Sequence, residues 1–406
     1  MHWVSSRAAV ATRLALDRNT GAVATAVFLM TLGEELWKRF LPKFLQDVGA
    51  PMAVIGGYGS LRDLVDGVAQ YPGGWASDRW GRKRALQCFT LLAFLGYLTL
   101  ASSSSWPLAL SGIALTMAWS SMASPTMFAV IGDALPAGRR VLGFTVQSIL
   151  RRVPIAIAPV LGGMLIAGRG VQSGVRVGLM AAAGLAVVTF TVLSVLSLQR
   201  EPATPAGARG VWQLMPPPLR RLLLSDILIR CCEGLVDVLL VLYALDVVGI
   251  SAASYGGLVA VQMGTSILSY VPGAWLGRRV GSKPVIMLTF VAFALFPLAV
   301  VAATSYVGLV LAFVVGGLRE LGEPARKGLI VDLARPEYRG RSVGLYYLIR
   351  SVAISPAATV GALAWSRSPT LPFLTAGMLG LAGTLAFALA VEEPRRGGLT
   401  LERMDS

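Results

Sequence analysis

Apolar residues occur along the chain in long, nearly uninterrupted stretches separated by short polar segments. A helix needs about 20 mainly apolar residues to span a bilayer. By that measure the sequence predicts twelve spanning helices, at residues 21–46, 54–75, 84–102, 106–132, 141–167, 174–198, 222–247, 253–277, 284–304, 306–332, 342–365 and 370–391. The pattern therefore predicts an all-α integral membrane protein.

The longest polar interruption divides the spans into two groups of six. Residues 199–221 are rich in proline and glycine, which is typical of a linker. We expect a tail at residues 1–20, an N-terminal six-helix bundle at 21–198, the linker at 199–221, a C-terminal bundle at 222–391 and a second tail at 392–406.

The two groups of spans also match each other in sequence. An offset of 199 residues places Glu34 on Glu233 and Arg151 on Arg350, and an offset of 200 places Pro72 on Pro272. A nearly constant offset across several spans predicts two parallel repeats, with a binding site at their interface.

Composition excludes a soluble enzyme. Hydrophobic residues make up 55% of the chain and charged residues only 14%, against about 25% charged in soluble proteins. The net charge of +15 lies mostly in short segments on one side of the predicted membrane, which hold 22 of the 36 Lys and Arg residues. By the positive-inside rule, both tails and the linker are cytoplasmic, as in a multi-pass protein of the bacterial inner membrane. The surplus of basic residues is then explained by the topology of the chain in the lipid bilayer, and no nucleic-acid partner is expected.

Few residues are suited to catalysis or metal binding. His2 is the only histidine, and the three cysteines have no metal-binding or disulfide spacing. No G-x-x-x-x-G-K-[ST] loop for nucleotide phosphates occurs. We therefore expect no enzyme activity, no metal and no cofactor. We also expect the protein to be a monomer. Because no interior histidine exists, any proton carrier within the spans must be a carboxylate.

The segment between the second and third spans carries a recognisable motif. Residues 74–84 read GWASDRWGRKR, which resembles the G-x-L-[AG]-D-R-x-G-R-[KR]-[KR] loop of the major facilitator superfamily, with Ala76 in place of leucine. A degenerate copy follows the eighth span, with Arg278 where the acid would be. With the twelve spans and the duplication, the resemblance covers the whole chain. It implies the major facilitator fold and secondary active transport by alternating access.

The resemblance also implies a gate at this loop. Carried over to this sequence, the loop acid is Asp78, which would hold the cytoplasmic ends of the two halves together by facing the start of the eleventh span. Gly74, Gly81 and Arg82 are its predicted companions. The alternative is that the basic loop only sets topology.

Two other functions remain open. The segment Ala158 to Gly163 is similar to the G-P-x-x-G-G element of drug/proton antiporters, which keeps a proton-driven multidrug efflux antiporter as an alternative. The fourth span lacks the buried arginine that those antiporters usually carry. A non-transporting membrane sensor on the same scaffold is the third possibility.

Twenty charged residues fall within the predicted spans or at their ends. Each charge at a helix centre costs about 2.5–3.5 kcal/mol, so these residues must pair or line a watery cavity. Residues three or four apart share a helix face, so many can pair along their own helix. The expected pairs are Glu34–Lys38, Arg62–Asp66, Arg319–Glu323, Glu323–Lys327, Arg230–Glu233 and Glu323–Arg326.

Arg151, Arg152 and Arg350 have no acid on their own spans. They must find partners on another helix, such as Glu34 or Glu233, or on a substrate. Arginine binds carboxylate and phosphate groups bidentately, so convergence of Arg151 and Arg350 from the two halves would suit such a solute.

Proton coupling is expected at carboxylates whose pKa is raised by burial. The matching acids Glu34 and Glu233 are the first candidates, for substrate as well as proton binding, and Asp66 and Glu320 are further candidates for the proton. Trp37 and Tyr346 are candidate substrate contacts, with plain packing as the alternative. The sequence as a whole predicts a proton-coupled secondary transporter of a small charged or zwitterionic solute.

Overall fold

A computed structural model describes residues 18–123, 126–127, 130, 137–194, 196, 215–333 and 339–391. The predicted tails and most of the predicted linker lie outside the described residues, so the domain boundaries stay predictions. The described chain is helical. Its helices are α1 (Arg18–Glu35 and Leu41–Asp47), α2 (Met52–Val68 and Gln70–Trp80), α3 (Arg82–Ser102), α4 (Trp106–Met117, followed by a π-helical turn Ala118–Met122), α5 (Ala137–Arg169), α6 (Val171–Leu193), α7 (Pro217–Val236 and Leu240–Leu242, then a π-helical turn Tyr243–Val247), α8 (Ala252–Val280), α9 (Ser282–Ala302), α10 (Tyr306–Leu318 and Glu323–Leu333), α11 (Arg339–Ile354 and Ala357–Trp365) and α12 (Leu371–Ala390).

The helices divide into an apolar set and a polar or interrupted set. Within the described residues, six helices are long and apolar enough to cross a membrane, and they lie in α3, α5, α6, α9, α11 and α12. Of the remaining helices, α1, α2, α4, α7 and α10 are broken or contain a π-helical turn, whereas α8 is continuous and carries charge only at Arg278 and Arg279 near its end. A polar or broken membrane helix is tolerated where it lines a cavity or is covered by protein, so the site is expected among this second set.

Backbone features confirm the predicted duplication. Glycines with positive φ recur 200 residues apart, at Gly49 and Gly249 at one end of the bundle and at Gly81 and Gly281 at the other. We call these the Gly49 end and the Gly81 end. The two halves therefore repeat in backbone geometry as well as in sequence.

The loop motif is more helical than its sequence suggests. Gly74 and the residues up to Trp80 belong to the second segment of α2, which continues beyond the predicted end at residue 75. Gly81 has φ of +88° and makes the turn into α3, a conformation that favours glycine. The turn between the second and third spans is therefore made at Gly81, and most of the motif before it is helical.

The two halves pack most closely near the Gly49 end. A Cβ atom added to Gly56 of α2 would lie 2.8 Å from the Ala358 carbonyl oxygen of α11. The helices α5 and α8 form a second close pair between the halves, where a Cβ atom added to Gly256 of α8 would lie 2.3 Å from the Pro159 carbonyl oxygen of α5. Small residues here allow backbones of opposite halves to touch.

The contact is lost toward the Gly81 end. Gly56, Gly67 and Gly74 lie on one face of α2, because they are 11 and 7 residues apart. An added Cβ at Gly67 would still meet Ser351 at 2.4 Å, but one at Gly74, or at Gly344 of α11, would meet nothing within 4 Å in the part of the chain that the structure describes. The halves therefore diverge along this face from the Gly49 end to the Gly81 end.

Candidate functional site: charged cavities between the halves

Breaks in α1 and α7 bring charged residues to the interface of the halves. Trp37, with φ −122° and ψ −30°, interrupts α1, and Val236, with φ −119° and ψ −17°, interrupts α7. These residues are 199 apart, so the break belongs to the repeat. The residues that follow are Lys38 and Asp237, which occupy equivalent positions with opposite charges.

Each break is held by a glycine on a neighbouring helix. A Cβ added to Gly162 of α5 would lie 2.0 Å from the Leu36 carbonyl oxygen, and one added to Gly361 of α11 would lie 1.9 Å from the Leu235 carbonyl oxygen. Only glycine leaves room for that approach. The Pro159-x-x-Gly162-Gly163 segment therefore has a packing role in this fold.

Two adjoining cavities open beside these breaks, with volumes of about 250 Å³ and 280 Å³. Both halves contribute to each. Arg62, Asp63, Asp66 and Asp237 line both cavities; Arg230, Glu233 and Arg350 add charge to the first, and Glu35, Lys38, Arg39, Tyr58 and Tyr255 line the second. Together the linings hold five carboxylates and five bases, so the space suits a charged solute.

Arg62 joins the two halves inside these cavities. Its Nη2 atom donates to Asp237 Oδ2 of α7 at 2.7 Å, and to the adjacent Asp63 Oδ1 at 3.2 Å. In α1, the Glu35 carboxylate accepts from Arg39 at 3.0 Å and the Glu34 carboxylate from Lys38 at 2.9 Å.

Asp226 is the centre of an arginine cluster in the C-terminal half. Its carboxylate is 0% exposed, and its Oδ2 atom accepts from Arg326 at 2.6 Å, the Tyr346 hydroxyl at 2.9 Å and Arg350 at 3.4 Å. Arg230 lies 4.0 Å away. A buried charge of this kind requires such partners.

The cluster around Asp226 carries more positive than negative charge. Arg230 also binds Glu233 at 2.9 Å and Glu323 at 3.2 Å, and Arg319 binds Glu233 at 3.3 Å. The buried cluster thus consists of four arginines and three carboxylates, namely Arg230, Arg319, Arg326 and Arg350 with Asp226, Glu233 and Glu323. The buried Nε atoms of Arg230 and Arg350, both cavity residues, have no hydrogen-bond acceptor. The arginines of this cluster therefore outnumber its carboxylates by one, and Arg230 and Arg350, which line the first cavity, share Asp226.

Local charge pairs agree with the sequence in most cases. The predicted pairs Glu34–Lys38, Arg230–Glu233, Glu323–Arg326 and Glu323–Lys327 are confirmed. Two predictions were wrong: Arg62 binds Asp63 and Asp237 instead of Asp66, and Arg319 binds Glu233 instead of Glu323. In both exceptions the arginine reaches a carboxylate on another helix, across the interface of the halves for Arg62 and within the C-terminal half for Arg319.

The three arginines without an acid on their own helix have different surroundings. Arg350 lines the first cavity and binds Asp226, and Arg152 binds Glu320 of α10 at 3.4 Å and the Tyr270 hydroxyl of α8. Arg151 is exposed, lines neither cavity and has no carboxylate within 4 Å among the described residues. The expected partners Glu34 and Glu233 were therefore wrong, and Arg151 does not join Arg350.

Other predicted site residues fall inside and outside the cavities. Glu233 and Asp66 line the first cavity, and Asp66 accepts a short hydrogen bond from Ser121. Glu34 and Glu320 line neither cavity, and the Tyr270 hydroxyl donates to Glu320 at 2.6 Å.

The predicted aromatic and gate residues contribute differently. Trp37 packs edge-on against Tyr97 with ring centroids 6.0 Å apart, and Tyr346 is buried behind Asp226, so neither lines a cavity. Both side chains are packed inside the protein, and their contact with a substrate stays a prediction. The Asp78 side chain lies outside the described residues, and Arg82 donates to the Ser77 hydroxyl at 3.0 Å. The gate stays a prediction.

Sequence reasoning missed several residues of this site. Asp226, Asp237, Arg62 and Arg230 were recognised as intramembrane charges but not as site residues. One signal was available: the repeat counterpart of Asp226 is Val27, so this acid breaks the symmetry of the two halves. An intramembrane charge present in one repeat only points to function.

Comparison with known proteins agrees with this architecture. The family model of the Major Facilitator Superfamily matches residues 23–232 and 222–404. An uncharacterized MFS-type transporter of Methanocaldococcus jannaschii is 22% identical over 389 residues, covering 90% of this chain and 93% of that protein.

Solved structures share the fold at low identity. The nucleoside transporter NupG has a TM-score of 0.77 at 13% identity, covering 92% of this chain and all of that chain. A peptide transporter POT in complex with sulfate has a TM-score of 0.72 at 17% identity, covering 91% of this chain and 94% of that one. With the twelve predicted spans, the repeated breaks and the central cavities, these matches establish that the chain belongs to the major facilitator superfamily and is a multi-pass membrane transporter.

Proposed function

We propose that the protein is a proton-coupled secondary transporter of a small charged or zwitterionic solute, and that the anionic group of the solute binds at Arg230 and Arg350. The observation that carries this proposal is the excess of four arginines over three carboxylates in the cluster around Asp226, two of which, Arg230 and Arg350, line the first cavity with Nε atoms that lack a hydrogen-bond acceptor among the described residues. A carboxylate or phosphate bound to them would balance the charge of the cluster. Guanidinium groups bind both anions with strong, charge-assisted hydrogen bonds.

The charged linings favour this solute over an amphipathic drug. The cavities between the halves hold five carboxylates and five bases, and a neutral apolar molecule would leave these groups poorly solvated. A structurally similar POT family transporter, with a TM-score of 0.75, has been solved with 5-aminolevulinic acid, which is a small charged solute. This similarity in fold supports the proposal without naming the solute.

Access is proposed to alternate between the two ends of the bundle. With the cytoplasmic side assigned by the positive-inside rule, the Gly81 end is cytoplasmic and the Gly49 end faces outward. Close packing at the Gly49 end then corresponds to an inward-facing state. We place the protein in the bacterial inner membrane with both termini in the cytoplasm.

The test compares two arginines that occupy equivalent positions in the repeats. Purified protein is screened by thermal shift against organic acids, amino acids and phosphate esters, because a ligand of the folded state raises the melting temperature. We expect Arg350→Gln to abolish the shift produced by a binding anion and Arg151→Gln to preserve it. Equal effects of the two substitutions, or binding of neutral apolar compounds alone, would overturn the proposal.

A further inference from the structure

One guanidinium in the cavities is shared between carboxylates of opposite halves. The Arg62 Nη2 atom lies 2.7 Å from Asp237 Oδ2 and 3.2 Å from Asp63 Oδ1, while its Nε atom lies 3.3 Å from the same Asp63 oxygen. The bond to Asp237 crosses between the halves, and the bond to Asp63 stays within α2. The two carboxylates therefore compete for Arg62, and only one of the two bonds ties the halves together.

Asp63 is the weaker partner in this competition. Both of its contacts with Arg62 are longer than the Asp237 contact, and they come from its immediate neighbour in the chain, which constrains their alignment. Its Oδ2 atom is 3.9 Å from the Cβ position of Gly234, so the carboxylate points toward α7 across the interface. It lines both cavities.

Two other carboxylates of the site, Glu35 and Glu233, have arginine partners that Asp63 does not share, and Asp66 accepts from the Ser121 hydroxyl. Glu35 binds Arg39, and Glu233 binds both Arg230 and Arg319. Asp63, by contrast, shares its arginine with Asp237. Because a proton is taken up most readily where a carboxylate lacks full compensation, the pairing pattern favours Asp63.

Several other charges face Asp63 and set its environment. On α2 these are Arg62 and Asp66. The groups contributed by packed elements are Arg230, Glu233 and Asp237 of α7, Arg350 of α11, and Glu35, Lys38 and Arg39 of α1. Arg62, which is hydrogen-bonded to Asp63, favours the ionised carboxylate, and the acids Asp237 and Glu233 oppose it.

We propose that Asp63 is the proton-coupling carboxylate and that it acts through Arg62. A proton that binds an Asp63 oxygen forms a neutral carboxyl group, which no longer competes for the guanidinium. The Arg62 guanidinium then pairs with Asp237 alone, and this bond holds the halves together near the Gly49 end. Loss of the proton restores the competition and weakens that bond. The inference rests on the proposed proton-coupled function and assigns its proton to α2 instead of Glu34 or Glu233.

The test measures the separation of the halves without any solute. Spin labels are attached at Gln46→Cys and Val247→Cys, two exposed positions at the Gly49 end of opposite halves, after replacement of the three native cysteines by alanine. Distances are measured by electron–electron double resonance between pH 5 and pH 9. We expect the distance to lengthen as pH rises, because ionised Asp63 draws Arg62 away from Asp237.

Matched variants separate the proposed role from a general effect of charge. Asp63→Asn should fix the short distance at every pH, Asp63→Glu should retain the pH response, and Asp237→Asn should give the long distance throughout. Asp332→Asn, which removes an exposed carboxylate at the end of α10, should behave as the unmodified protein. The proposal is overturned if Asp63→Asn keeps the pH response or if the unmodified protein has none. Such a result would leave the anion-binding test of Arg350 unaffected, so the two proposals fail separately.

Discussion

The buried arginine Arg326 and its neighbour Lys327 offer a sharp test of the cluster around Asp226. Arg326 is 2% exposed and donates to Asp226 at 2.6 Å and to both Glu323 oxygens at 2.7 Å and 2.9 Å. Lys327 lies 3.5 Å from the same glutamate but is 62% exposed. We expect Arg326→Gln to destabilise the protein strongly and Lys327→Gln to have little effect.

The magnitudes follow from burial. Removing one partner of a buried ion pair costs about 3–5 kcal/mol, because the remaining charge stays buried without compensation. Asp226 would keep the Tyr346 hydroxyl and Arg350, which places the expected loss for Arg326→Gln toward the lower limit, at about 3 kcal/mol. An exposed pair contributes about 0–1 kcal/mol, so Lys327→Gln should cost less than about 1 kcal/mol.

The free energy of unfolding can be compared by titrating sodium dodecyl sulfate into mixed micelles and following tryptophan fluorescence. Arg326→Lys should recover part of the loss, since it keeps the charge but not the two-pronged contact with Glu323. The reasoning would be refuted if Arg326→Gln and Lys327→Gln destabilised the protein equally, because burial would then not determine the contribution of the pair.

Three further predictions concern other contacts. Gly162→Ala should destabilise the protein by about 1–3 kcal/mol by pushing against the α1 backbone, whereas Gly168→Ala in the same helix, with nothing within 4 Å, should be neutral or slightly stabilising in the same unfolding titration. Lys43→Gln removes the 2.6 Å bond to Asp246 at the Gly49 end, so electron–electron double resonance between labels at residues 46 and 247 should show a larger population of long distances between the halves. An unchanged distance distribution would show that this bond does not hold the halves together. Tyr346→Phe removes a hydroxyl bound to a buried carboxylate and should cost about 1.5–3 kcal/mol in the unfolding titration, where a loss below 0.5 kcal/mol would argue against that bond.

Helix placement follows from hydropathy, but helix interruption does not. The apolar stretches and the constant offset predict the twelve spans and their duplication. The break residues Trp37 and Val236 are neither glycine nor proline, and the nearby Gly33, Gly234 and Pro42 do not by themselves distinguish these breaks from the glycines and prolines inside the continuous helices. The breaks depend on Gly162 and Gly361 of other helices, which approach the freed carbonyl groups, and that approach exists only after the helices pack.

The same distinction applies to the site. Pairs such as Glu34–Lys38 and Arg230–Glu233 are local, since four or three residues fix the separation on a helix, and sequence predicts them. The partner of Arg350 depends on how α11 meets α7, and several acids were equally plausible before that packing was known. Its actual partner, Asp226, has no counterpart in the first repeat, so the duplication could not identify it either.

The glycine contacts at the two breaks have a consequence for how such a protein changes its specificity. Gly162 and Gly361 meet main-chain carbonyl oxygens, which every amino acid provides. The geometry of the two breaks is therefore independent of the side chains at Leu36 and Leu235 and of the charged residues that follow them. The two halves can acquire different side-chain chemistry, down to opposite charges at Lys38 and Asp237, while keeping the same backbone arrangement. A new solute can then be accommodated by substitutions in the lining alone, with both breaks unchanged.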